Sequence, residues 1–131
     1  MNKKAAVAVA LVCVSLFGVS TRVFASGSLD GKTFSGTVGQ KGKTDGQADG
    51  FVFKDGKFES TLCTTFGYGQ GVYKTEAKTD AIGFTAETAS TTGGKKQWQG
   101  MVKGDQIAGT VISIENGKTT ESWFKGKLKA S

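Results

Sequence analysis

Between residues 32 and 128 the chain alternates apolar and polar side chains in short runs, and turn residues break the runs at regular intervals. None of the runs carries a helical period, and alternation of this kind is the mark of half-buried strands. Four tight turns fix registers. Asp55-Gly56 sets Lys54 opposite Lys57 and Phe53 opposite Phe58, with Phe51, Phe53, Phe58 and Leu62 on one face. Thr79-Asp80 sets Lys78 opposite Ala81 and puts Tyr73, Thr75, Ala77, Ile82, Phe84 and Ala86 on one face. Gly104-Asp105 pairs Val102 with Ile107, so Trp98, Gly100, Val102, Ile107, Gly109 and Val111 face together. Asn116-Gly117 sets Glu115 opposite Lys118, a favourable cross-strand pair, and brings Phe124, Gly126 and Leu128 to the same face. The last two hairpins share one strand and turn the same side of it inward. A one-residue slip would reverse every side chain, so the two readings support each other.

The pattern predicts strands at 32–38, 49–54, 57–63, 71–78, 81–88, 96–103, 106–114 and 119–128. Eight short strands joined in sequence predict an all-β fold, a small antiparallel up-and-down β-barrel that closes its own edges. Gly100 and Gly109 fall opposite each other on the inward face, with Gly126 beside them. Glycines there permit tight curvature and leave room for a ring, and Trp98 and Phe124 are the expected occupants.

The N-terminus changes the setting. Met1-Asn2-Lys3-Lys4 is a positive start, an uncharged apolar stretch follows to Val19, and Val23-Phe24-Ala25 has small residues where a signal peptidase needs them. The expectation is a signal peptide over 1–25, removed to leave one domain over 26–131, periplasmic or secreted and with no membrane span. The formal net charge is +6, and half of that excess, Lys3, Lys4 and Arg22, lies in the leader. The remaining lysines are spread along the chain, which argues against a nucleic-acid partner.

Composition narrows the chemistry further. The chain has no histidine, so a Ser-His-Asp triad cannot be built and the commonest zinc and copper ligand is missing. It has two cysteines, and Cys13 falls in the leader, so Cys63 has no partner in the mature chain. The acidic residues Asp45, Asp49, Asp55, Asp80 and Asp105 sit in or beside turns, their ordinary structural use. No catalytic, metal or cofactor site is expected, and the protein reads as a non-enzymatic binding module.

Two surfaces are candidates for binding. Phe53, Phe58, Tyr73, Phe84, Trp98 and Phe124 all point inward, either as a filled core or as the walls of a site for a small apolar ligand, with Ser60, Thr75 and Ser113 at a polar mouth. Outside, Met101, Ala108, Ile112, Ile114 and Trp123 line up on three adjacent strands as an apolar patch suited to a protein partner or a homodimer. Cys63, expected at the outer rim of strand 57–63, reads either as a thiol shielded by the next loop or as one that adds an intermolecular disulfide to that interface. The loop Gly67-Tyr68-Gly69-Gln70-Gly71 reads as a barrel-end loop that could bring Phe66 and Tyr68 over an opening.

The segment Phe53-Lys54-Asp55-Gly56-Lys57-Phe58-Glu59-Ser60, with Cys63 and Gly67-Tyr68 after it, resembles an uncharacterised family of secreted bacterial small β-barrel proteins. So do Trp98-Gln99-Gly100-Met101-Val102-Lys103-Gly104-Asp105 and Trp123-Phe124-Lys125-Gly126-Lys127-Leu128. More remotely, the strand count and meander are similar to the calycins, the lipocalin- and avidin-like barrels, and that resemblance implies a small ligand inside. The first-strand motif of lipocalins, G-x-W, is only approximated by Gly31-Lys32-Thr33-Phe34.

Overall fold

A computed structural model describes residues 24–25 and 28–130. The expected leader, with Cys13, therefore lies outside the described residues except for its last two positions. The elements in chain order are β1 (Phe24–Ala25), β2 (Thr33–Gln40), β3 (Gln47–Lys54), β4 (Lys57–Ser60), α1 (Thr61–Thr64), β5 (Gly71–Ala77), β6 (Ile82–Ala89), β7 (Lys95–Lys103), β8 (Gln106–Glu115) and β9 (Lys118–Leu128). From β2 to β9 each strand pairs antiparallel with the next, and β2 pairs with β9 to close an eight-stranded barrel. The two-residue β1 lies along β5. No helix among the described residues is long and apolar enough to cross a membrane.

The four hairpins have the registers their turns dictate. Phe53 faces Phe58, Ala77 faces Ile82, Val102 faces Ile107 and Glu115 faces Lys118. Asp55, Gly56, Asn116 and Gly117 all take positive φ, the type I′ geometry whose twist matches the strands it joins. At the third turn only Gly104 does so, as a type II′ turn requires.

The barrel interior is packed with rings. Phe53 meets Phe34, Phe58, Tyr73 and Phe84 at centroid distances of 4.9–6.1 Å. Trp98 meets Phe51, Phe58 and Phe124 at 4.9–6.2 Å. Burying each such side chain stabilises the fold by roughly 1.5–3 kcal/mol. The inward glycines make room for them. A Cβ on Gly100 would lie 2.8 Å from Phe124 and 3.0 Å from Phe84, so the second ring over this gap is Phe84, not Trp98.

One end of the barrel is plugged. Leu29 has no exposed surface, and the chain around it is tied down by three hydrogen bonds to Phe53 and Tyr73. Gly31 N–H donates to Phe53 C=O, Phe53 N–H donates to Lys32 C=O, and Leu29 N–H donates to the Tyr73 hydroxyl. That hydroxyl donates in turn to Asp30 Oδ1 at 2.7 Å. Thr75 lies at this end, bonded to Ser28, and not at a polar mouth.

The expected strand 57–63 stops at Ser60. The Ser60 side chain accepts the N–H of Cys63 and so caps the short helix α1. The helix breaks the alternation. Leu62 is half-buried where an inward position was expected, and Cys63 turns into the barrel instead of outward.

Candidate functional site

The end opposite Leu29 is built differently. Strand β7 begins there, and its alternation turns Lys96 inward two residues before Trp98. Lys96 is flanked in register by Thr88 on β6 and Ser113 on β8. Its Nζ donates to Ser113 Oγ at 2.9 Å and stands 5.0 Å over the Tyr68 ring, a cation–π arrangement. Below it Trp98 Nε1–H donates to Thr88 Oγ1, which fixes the indole plane.

The opposite wall comes from β2, β3 and α1. Asp49 is buried on β3, and its carboxylate organises that wall. It accepts the Ser60 hydroxyl at 2.7 Å, Gly50 N–H at 2.7 Å and Leu62 N–H at 3.0 Å. These bonds hold α1 so that Cys63 faces the opening. Burial pushes the Cys63 thiol up from its ordinary range, against the opposing pull of the Ser60 hydrogen bond and the Lys96 charge.

Between these walls lies a cavity of about 420 Å³, with Val38, Trp98 and Val111 as its apolar surface and Leu62, Cys63, Phe66, Lys96 and Ser122 around them. A volume of that order suits a small molecule. Phe66 is 68% exposed at its edge. Tyr68 has the opposite fate: it is buried, and its hydroxyl donates to the Glu115 carboxylate. Tyr68 anchors the loop while Phe66 stands free.

The six aromatic residues expected to bind a ligand divide in two. Phe53, Phe58, Tyr73, Phe84 and Phe124 form the packed core, and only Trp98 reaches the cavity. The expected interface residues do not form one open surface. Met101 is 51% exposed and Ile114 is exposed, but Ile112 is half-buried. Trp123 is half-buried beside the loop over 41–46, and its Nε1–H donates to Lys43 C=O at 2.9 Å. Cys63 lies inside the mouth, far from the role of an outer-rim thiol. Sequence reading missed Lys96, Val38 and Val111 as partners in one site, although alternation from Trp98 marks Lys96 as inward.

Both buried phenols are pushed above their ordinary range, chiefly by burial and then by a carboxylate neighbour, Glu115 for Tyr68 and Asp30 for Tyr73. Below about pH 10, the ordinary phenol value, both are protonated in the folded and unfolded chain and their contribution is complete. Above it the unfolded chain loses protons that the folded chain retains, so stability falls as pH rises. The urea midpoint is expected to drop between pH 9.5 and 11.5, and to drop less in Tyr73→Phe. Normal phenolate absorbance for both residues in the folded protein near pH 10 would contradict this.

No protein-family model matches the chain, and no curated protein or solved structure is significantly similar to it.

Proposed function

We propose that this protein is a non-enzymatic binding module, periplasmic or secreted, that holds one small molecule at the open mouth of its barrel. The asymmetry of the two ends carries this reading. Leu29 and the stacked rings leave no room at one end, whereas the other presents a cavity of about 420 Å³ with an apolar floor, a fixed indole, a half-buried lysine, Lys96, and the exposed Lys43 and Asp45 at its rim. A few polar groups placed around apolar surface is the usual composition of a small-molecule site. The ligand sits above the aromatic core, not within it.

An interface on the outer wall is the weaker reading. Cys63 points inward and Trp123 is partly screened by the loop that its Nε1–H bonds, so Met101, Ile112 and Ile114 would have to carry most of a dimer. Native mass spectrometry of the protein taken from its own compartment separates the two. The expected result is a monomer carrying one small adduct, absent from Ser122→Trp, which fills the mouth. A monomer that stays bare, or an adduct indifferent to Ser122→Trp, would overturn the mouth reading, and a bare dimer would favour the outer wall.

A further inference from the structure

We infer that the molecule bound at the mouth is an organic anion, with its charged head on Lys96 Nζ and its apolar body against Trp98, Val38 and Val111. The inference rests on the mouth reading and adds the chemical class of the ligand. Its starting point is a lysine where strand alternation ordinarily puts an apolar residue. Lys96 occupies an inward register position and is half-buried, and none of the salt bridges among the described residues includes it.

Asp45 lines the exposed rim of the cavity beside Lys43 without pairing with Lys96, and the two carboxylates behind the walls are already engaged. Asp49 is satisfied by Ser60 and two backbone amides, and Glu115 accepts from Tyr68. At the Cys63 sulfur the field of Lys96 outweighs that of either of them. An ammonium has three donors. One is spent on Ser113, and the face toward Tyr68 is taken by the ring. The remaining donor can reach a carboxylate or sulfonate in the cavity, while the Lys96 stem and the indole offer apolar contact to the rest of the molecule. A half-buried cation with hydroxyl and ring neighbours and no carboxylate within ion-pair distance is poised to accept an anion.

Two probes that share a ring skeleton test this: anilinonaphthalene sulfonate and its uncharged parent, phenylnaphthylamine. Binding to the full chain is followed by probe fluorescence, and its place by the amide signals of Cys63, Phe66, Lys96 and Val111. The sulfonate is expected to bind about tenfold more tightly than the neutral probe, the weight of one charge-assisted hydrogen bond. Lys96→Met should remove that preference by weakening the sulfonate far more than the neutral probe, and Lys96→Arg should retain it. Equal binding of the two probes to the native protein, or an unchanged sulfonate affinity in Lys96→Met, would overturn the anion inference and leave the mouth reading standing. Failure of both probes to shift the mouth amides would overturn both.

Discussion

Gly109→Val is expected to destabilise the barrel by about 3 kcal/mol or more, at the upper end of what overpacking costs. Gly109 on β8 lies directly opposite Gly100 on β7. A Cβ at position 109 would stand 2.5 Å from Gly100 Cα and 2.8 Å from the Phe124 ring, and closer still to Gln99 C=O. Two of those obstacles are backbone of the neighbouring strand, so the clash cannot be relieved by a rotamer. The strands must part or the Phe124 ring must leave the core, and either opens contacts to Phe51, Phe84 and Trp98. A domain of this size has roughly 5–15 kcal/mol to lose. Urea unfolding followed by tryptophan fluorescence measures the change. Phe124→Leu in the same chain should restore only part of it, because the backbone contacts remain. A loss below about 1 kcal/mol would show that the wall flexes at this corner and that the glycine pair is not needed for closure.

The glycine pair also shows why so much of the fold was legible. Each hairpin is a local event: a two-residue turn sets a register, and the register sets a face. Chaining four of them gave the inward aromatics, Gly100 opposite Gly109, and the strand count of the closed barrel. The failures have a common cause, contacts between residues far apart in the chain. Ser60 and Leu62 continue an alternating pattern, and nothing nearby in the chain stops the strand. What stops it is Asp49, eleven residues earlier, which accepts from both the Ser60 hydroxyl and Leu62 N–H. Trp123 looks fully exposed on its own strand, and its partial screening comes from the loop of Lys43, eighty residues away. Leu29 is a lone apolar residue in a polar stretch, with no period to mark it as a plug.

The candidate site was less legible than the fold for the same reason. Alternation puts Lys96 inward but does not say which barrel end is open. That depends on Leu29 filling the far end and on Cys63 and Val38 forming the near wall. Of the three hydroxyls expected at a mouth, only Ser113 serves there, as the partner of Lys96. Ser60 caps α1 and Thr75 belongs to the plugged end.

Because Asp49 organises the mouth wall, Asp49→Ala is expected to lower stability by about 3 kcal/mol and to expose Cys63 at the same time. The substitution leaves the Ser60 hydroxyl and Leu62 N–H without their acceptor, at a cost of about 1–3 kcal/mol for each buried group. Gly50 N–H is partly spared, since Thr61 Oγ1 also accepts from it at 3.0 Å. Ser60 then loses the anchor that aims its oxygen at Cys63 N–H, and a helix of four residues has little else to hold it. In the native protein burial keeps the Cys63 thiol protonated and shielded, so its alkylation at pH 8 should be slow. In Asp49→Ala the rate at Cys63, read by mass spectrometry of its peptide, should rise about tenfold or more, roughly the effect of losing 1.4 kcal/mol of local protection. Asp49→Asn keeps one acceptor oxygen for the backbone amides and should fall between the two. Ser60→Ala removes the cap and one donor to Asp49 but leaves the carboxylate its two backbone amides, and should cost about 1–2 kcal/mol. If Asp49→Ala weakens the fold but leaves Cys63 as slow as before, then the packing of Leu62 and Cys63 holds α1 without the carboxylate. The mouth would then be a rigid product of the barrel itself, and no single polar residue could be said to shape it.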